Sequence, residues 1–208
     1  GGGRMDFGIL NFTQRVWLSD SNDALERMRI QNNSAMFFPP SVIGCHVGPR
    51  KCHTTRREID ISTRAWVAAQ GHLGFEFDLN ELTEAETLTL KEVVNWWKGN
   101  RPWRMDALRY RLDMPDPALL GELQVSENGD HFVAFIAQVN SSSQALSRKV
   151  KLSGLNRKSS YKIKLVNYQK RENISRGAMP IKNQIVEASG EMMMEYGVRM
   201  PIANPQTL

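Results

Sequence analysis

The fold of this chain is decided by two segments near its start, Gly1-Gly2-Gly3-Arg4-Met5-Asp6 and Val16-Trp17-Leu18-Ser19-Asp20-Ser21-Asn22-Asp23-Ala24. The glycines of the first segment offer a ligand only backbone groups, which approach closely because glycine has no side chain. In the second segment an apolar run ends at Asp20, just before a helix start. Barrel enzymes carry catalytic carboxylates at the carboxyl ends of their strands. Asp20 is therefore the candidate catalytic residue; its alternative role is an ordinary carboxylate favoured by a helix dipole.

These segments also carry a resemblance to a known family. The order GGGR-x-D, a spacer, and W-x-S-D-x-x-D-A-x-E-R-x-x-x-Q resembles the segment joining the fifth and sixth barrel strands of glycoside hydrolase family 36, the microbial α-galactosidases. A fainter similarity, to the family's closing strand, lies at Gly190–Gly197. The other downstream matches are Pro39, Gly44-Cys45-His46-Val47, His53-Thr54 and Gly74-Phe75-Glu76-Phe77-Asp78-Leu79.

The resemblance implies an α/β plus β fold. Residues 1–102 are expected to form the C-terminal third of a catalytic (β/α)8 TIM barrel, and residues 103–208 a C-terminal antiparallel β-sandwich domain. A closed barrel takes eight strands, so most of its strands would lie outside this sequence. The family places a Lys-Trp-Asp pattern on its fourth strand, with the nucleophile, and that pattern does not occur here.

The resemblance also implies an activity, the retaining hydrolysis of terminal α-galactosyl residues in sugars such as melibiose and raffinose. Retaining glycosidases use one carboxyl group as nucleophile and a second as acid and base. By its place in the motif, Asp20 matches the family's acid/base residue, and Gly1, Gly2 and Asp20 are expected to bind the substrate. We expect no cofactor and no metal, a homo-oligomer for the full-length enzyme, and a cytoplasmic location. The fragment alone is expected to be inactive, because it lacks the nucleophile.

The composition is that of an ordinary globular protein, with 41% hydrophobic and 24% charged residues among 208. The apolar runs are far shorter than the roughly 20 residues of a membrane-spanning helix, and no signal peptide is visible at the start. The sequence therefore predicts no membrane association.

The net charge of +5 is unevenly distributed. Residues 1–100 hold 11 Lys and Arg against 12 Asp and Glu, whereas residues 101–208 hold 16 against 10. In the second half Lys alternates with apolar residues, as in Arg148-Lys149-Val150-Lys151 and Tyr161-Lys162-Ile163-Lys164. This alternation favours a solvated sheet face or protected edge strand over a phosphate-binding stripe. A carbohydrate- or nucleic-acid-binding module that uses the basic sheet domain is the alternative function, and we expect no nucleic-acid partner.

Between Arg15 and Leu79 the sequence predicts alternating strands and helices, as in parallel α/β structure. The predicted elements are a strand at Val16–Ser19, a helix capped by Asn22, a short strand at Ala35–Phe38, a helix at Thr63–Gly71 capped by Ser62, and a strand at Leu73–Leu79.

A long helix and a hairpin follow in the predicted order. Thr83-Glu84-Ala85-Glu86 has the form of a capping box, and the apolar stripe Leu90, Val93, Val94 and Trp97 has helical spacing. Gly99 and Pro102 are predicted to end this helix. Asn128-Gly129 predicts a hairpin turn in the sheet region.

Three side-chain roles remain to be assigned around these elements. Asp23, in the first helical turn, is expected to act as a capping or dipole charge and not as a reacting group. Trp17 precedes Asp20 by three positions, so strand alternation places it on the other face and predicts core packing. Arg4 and Asp6 are expected to pair or to support the loop.

The residues Cys45-His46 and Cys52-His53 have the composition of a zinc site, but not its usual ligand spacing. We therefore predict no metal there. The two cysteines allow either a disulfide or two thiols, and a cytosolic enzyme keeps thiols reduced.

Overall fold

The computed structural model describes residues 6–146, 149–167 and 179–205. It divides into two compact units, one ending at Arg109 and the other beginning at Tyr110. No helix of the described residues is both long enough and apolar enough to span a membrane.

Strands and helices alternate through the described part of the first unit. The three strands there form one parallel sheet in the order β1-β2-β3, which confirms the predicted parallel α/β pattern. Because the strands are parallel, their carboxyl ends meet at one edge of the sheet. The elements are β1 (Val16–Trp17), α1 (Ala24–Ser34), β2 (Ile43–Val47), α2 (Ile61–Ala68), β3 (His72–Phe75) and α3 (Glu84–Arg104).

The first two helices begin one or two residues away from the predicted caps. Asp23, not Asn22, caps α1, and its Oδ1 accepts hydrogen bonds from the backbone of Leu25 and Glu26. Asp60, not Ser62, caps α2. In both cases a carboxylate, favoured by the helix dipole, takes the place of the predicted neutral cap.

The predicted strand at Ala35–Phe38 is wrong. These residues form a tight turn after α1, in which the amides of Phe37 and Phe38 both donate to the carbonyl of Ser34. Met36 and Phe37 are 62% and 60% exposed, and only Phe38 of this apolar run is buried in the core. The strand begins after Pro39-Pro40, at Ile43, which is buried.

The capping box of α3 is confirmed: Thr83 Oγ1 accepts from the amide of Glu86, and Glu86 Oε2 accepts from the amide of Thr83. The predicted apolar stripe also forms, with Leu90, Val93 and Trp97 buried.

The predicted end of α3 at Gly99 and Pro102 is wrong, because the helix continues to Arg104. The guanidinium of Arg104 is buried, and its Nη2 donates to the carbonyls of Ala69 (2.7 Å) and Gln70 (3.2 Å) at the end of α2. This contact satisfies helix-terminal carbonyls with a cation, an arrangement that helix dipoles favour. Tertiary contact therefore outweighs the low helix propensity of Gly and Pro.

The chain after α3 folds mainly into short antiparallel pairs: β5 with β6, β7 with β10, and β8 with β9. β4 lies beside β5. The elements are β4 (Leu108–Arg111), β5 (Leu119–Val125), β6 (Phe132–Gln138), β7 (Lys149–Val150), β8 (Ser160–Ile163), β9 (Val186–Ser189), α4 (Gly190–Glu195) and β10 (Val198–Arg199).

Two sequence predictions for this region are confirmed. The hairpin between β5 and β6 turns at Gly129, whose φ of 75° lies in the left-handed region that favours glycine. The Lys alternation gives one exposed face, with Lys149 and Lys162 exposed and Val150 and Ile163 buried. The family-like segment at Gly190–Gly197, in contrast, begins with a helix and not a strand.

We expect Arg104→Met to lower the free energy of unfolding by about 2 to 4 kcal/mol, because a buried charged donor and its two carbonyl bonds are lost. Urea denaturation measures this loss. Arg101→Met is the matched control on the exposed side of the same helical turn, and it should change the value by less than about 1 kcal/mol. Equal effects of the two substitutions would contradict a structural role for the carbonyl contacts of Arg104.

Candidate active site

Asp20 lies just beyond the carboxyl end of β1 and is exposed to solvent. Its Oδ1 accepts a hydrogen bond of 3.0 Å from the indole Nε1 of Trp17. Asp20 caps no helix, since Asp23 fills that position in α1. The helix-start role for Asp20 is therefore wrong. Its carboxylate is exposed to solvent at the edge of the parallel sheet where the strands end. The two other predicted substrate contacts, Gly1 and Gly2, lie outside the described residues, as does Arg4.

The loop that carries Asp20 is held from within by Arg27 of α1. This guanidinium is only 1% exposed, and its Nη1 donates to the carbonyls of Ser19 (3.0 Å) and Ser21 (3.1 Å), the two neighbours of Asp20. Ser21 adds a bond of 2.8 Å from its hydroxyl to Glu26 Oε2. The backbone on both sides of Asp20 is thus fixed while the side chain of Asp20 remains accessible.

The core-packing role predicted for Trp17 is wrong, because Trp17 is only partly buried and contacts Asp20 directly. β1 ends at Trp17, so the alternation of strand side chains does not extend to Asp20. Trp17 pairs with Gly44 of β2, where a Cβ atom would lie 3.2 Å from Trp17 Cε3. The indole passes over this glycine and stacks on His46, with ring centroids 4.4 Å apart and an interplanar angle of 15°.

His46, at the carboxyl end of β2, is 3% exposed, and neither ring nitrogen makes a hydrogen bond within the described structure. Its Nε2 nevertheless lies 2.6 Å from Oε2 of Glu76, which follows β3, but at an angle outside hydrogen-bond geometry. Burial, and next the positive charge of Arg27, lower the pKa of His46 to about 4, although Asp20 acts in the opposite direction. The side chain of Glu76 is 45% exposed, so solvent screens its charge. His46 is therefore neutral at physiological pH.

Asp23 has the structural role predicted for it. Besides capping α1, its buried Oδ2 accepts a hydrogen bond of 2.6 Å from Thr55 and pairs with Arg57. These contacts fill the carboxylate's acceptor positions and tie the loop after β2 to the start of α1. A carboxylate so fully occupied is not available for proton transfer to a ligand.

Cys45 and Cys52 are both free thiols, and both are buried. His53 is exposed in the loop after β2. Within the described ranges, no group of three or more His, Cys, Asp or Glu side chains is placed to hold a metal ion.

The arrangement suits proton transfer at one exposed carboxyl group. Oδ1 of Asp20 accepts from the indole, whereas no described residue donates a hydrogen bond to Oδ2. Sequence analysis identified Asp20 but missed the contributions of Trp17, His46 and Arg27. Gly44, opposite Trp17 across the parallel pair, was the one signal in the sequence that a large ring lies over this position.

Two family models match the chain. One described as Melibiase matches residues 1–106, and one described as Glycosyl hydrolase family 36 C-terminal domain matches residues 123–206.

Known proteins similar to the chain are α-galactosidases. An Escherichia coli alpha-galactosidase is 32% identical over 213 residues, an alignment that covers 100% of this chain and 30% of the relative. A variant of α-galactosidase AgaA from Geobacillus stearothermophilus, bound to 1-deoxygalactonojirimycin, superposes with a TM-score of 0.81 and 26% identity, over 98% of this chain and 26% of that one. Another AgaA variant, bound to raffinose, superposes with a TM-score of 0.80 and 25% identity, over 97% of this chain and 26% of that one. The chain thus spans less than a third of each protein.

The neutral state of His46 makes the stability of the chain sensitive to acid. In the unfolded chain the ring takes up a proton near pH 6.5, its ordinary pKa, whereas in the folded chain it does so only near pH 4. The unfolding free energy should therefore fall as pH drops from about 6.5 to about 4.

We expect His46→Asn to lose less stability than wild type between pH 7.5 and pH 4.5, as measured by urea denaturation at both values. His53→Asn, at an exposed histidine, should keep the wild-type difference. If His46→Asn retains the full wild-type loss, His46 is not the source of this acid sensitivity.

Proposed function

Because this chain belongs to the melibiase family, glycoside hydrolase family 36, we propose that it is the C-terminal part of an α-galactosidase in which Asp20 is the acid/base residue. The single observation that supports this role most strongly is the position of its carboxyl group. It is exposed at the carboxyl end of a parallel strand, on a loop that Arg27 holds in place. Asp23 is the nearby competitor, and its carboxylate is occupied by structural bonds.

In the proposed reaction Asp20 first donates its proton to the glycosidic oxygen as the bond to the anomeric carbon breaks. A second carboxylate, about 5 to 5.5 Å away, attacks that carbon and forms a glycosyl-enzyme. Asp20, now ionised, then takes a proton from water, whose oxygen replaces the nucleophile. The nucleophile belongs to a strand outside these 208 residues. Two displacements at the same carbon give net retention of configuration.

The same family membership supports a proposal for the architecture. β1, β2 and β3 are the last strands of a (β/α)8 barrel, and the antiparallel pairs after α3 belong to a C-terminal β-sandwich. The parallel order and the helix after each strand support the first assignment. Catalytic groups of such barrels lie at the carboxyl ends of the strands, where Asp20, His46 and Glu76 are found.

The substrate class follows from the relatives. AgaA, which this chain resembles, has been solved with raffinose bound, so we propose terminal α-galactosides as substrates of the complete enzyme. Gly1 and Gly2 remain predicted backbone contacts for the sugar.

We expect the 208-residue chain alone to show no turnover of p-nitrophenyl α-galactoside, because the nucleophile is absent. Release of nitrophenol by the purified chain measures this. Turnover that Asp20→Asn abolishes would show that the nucleophile lies within the chain after all.

In the full-length polypeptide, Asp20→Asn should lower kcat/KM for raffinose by about 10²- to 10⁴-fold. The activated p-nitrophenyl substrate should lose far less, since its leaving group needs little protonation. Asp6→Asn is the matched control, with the same chemical change at an exposed acid that caps a short 3-10 helix. Equal losses for the two substrates would remove Asp20 from the acid role.

A further inference from the structure

The hydrogen bond between Trp17 and Asp20 makes the two oxygens of the carboxyl group different. The indole Nε1 is a donor only, so Oδ1, at 3.0 Å, must accept. The carbonyl-type oxygen of a protonated carboxyl group is a better acceptor than its hydroxyl oxygen, so this bond favours the proton of Asp20 on Oδ2. The two residues are three positions apart in a segment whose backbone Arg27 fixes, so the bond forms without a long-range rearrangement.

The indole is itself held in a defined place. Gly44 leaves room beneath the ring, where a Cβ atom would approach to 3.2 Å. His46 lies two residues further along β2, on the same face as Gly44, and its ring stacks on the indole. The Arg27 guanidinium lies 5.7 Å from the centroid of the indole, within cation–π range. The donor that meets Asp20 is thus part of a packed group.

We propose that Trp17 is a positioning residue for Asp20: its indole N–H holds Oδ1 and directs the proton-bearing Oδ2 toward the glycosidic oxygen. This inference rests on the acid/base role proposed above. When Asp20 gives up its proton, the carboxylate formed keeps the same donor, and a hydrogen bond to a charged acceptor is stronger than one to a neutral acceptor. Trp17 therefore contributes more after proton transfer has begun than before it.

A purely structural role for Trp17 predicts a different result. Loss of ring packing would disturb the end of β1 and lower activity on every substrate alike. Loss of the N–H alone would matter most where protonation of the leaving group limits the rate. Leaving-group dependence therefore separates the two roles.

The test uses the full-length polypeptide and compares kcat/KM for raffinose and for p-nitrophenyl α-galactoside. We expect Trp17→Phe to lower the raffinose value by about 10- to 100-fold, the range for a hydrogen bond to a charged group, and the aryl value by less than about threefold. Trp103→Phe is the matched control. It removes an indole N–H bonded to Asn100, also three residues away, on α3. This control should leave both values near wild type.

A second variant covers the case in which Trp17→Phe does not fold. Replacement of Trp17 by β-(3-benzothienyl)alanine exchanges the N–H for sulfur and keeps the ring, so stacking on His46 is preserved. The same loss on raffinose is expected. Equal losses on both substrates, or no loss, with either folded variant overturns the proposal for Trp17. If Asp20→Asn itself shows no leaving-group dependence, the acid/base assignment fails instead, so the two failures are distinguishable.

Discussion

The part of the first unit that presents Asp20 depends on a buried charge, the guanidinium of Arg27. Burying a cation is costly unless polar groups replace its water. Here the carbonyls of Ser19 and Ser21 do so at Nη1, whereas Nε and Nη2 make no hydrogen bond among the described residues. These two carbonyls lie on either side of Asp20. The requirement to satisfy a buried cation therefore fixes the backbone that presents an exposed acid. Burial lowers the pKa of Arg27, whereas the thiol of Cys45 and the carboxylate of Glu76 oppose that shift.

The register of the parallel sheet determines which side chains meet next to Asp20. Trp17, the last residue of β1, pairs with Gly44, and Gly44 pairs with His72, so these three residues lie at one level, beyond which β2 and β3 continue together to Val47 and Phe75. Side chains at that level come from three strands that are distant in sequence, and they meet because parallel strands share an orientation. A slip of one residue between β1 and β2 would place Cys45 opposite Trp17 and remove the gap over which the indole lies.

The parts of the fold that short sequence patterns determine could be predicted from the sequence. The capping box at Thr83 and the turn at Gly129 are short-range patterns, and both are confirmed. The alternation of Lys with apolar residues likewise predicted an exposed sheet face. The errors arose where distant contacts decide the outcome. α3 continues through Pro102 because Arg104 reaches the end of α2, and no local pattern encodes that contact.

In the candidate site, too, the residue marked by a local motif was predicted, and the roles that depend on tertiary contacts were not. Asp20 was found from its motif, but the part played by Trp17 depends on where β1 ends, which differs from the predicted strand by two residues. Because the strand ends at Trp17, the alternation of side chains does not apply to the residues after it, and the indole can contact Asp20. His46 then matters for a physical reason that periodicity does not show. Its neutrality above about pH 4 means that the indole packs on an uncharged ring across the neutral range. The imidazole that packs on the indole next to Asp20 therefore keeps one charge state across the neutral range.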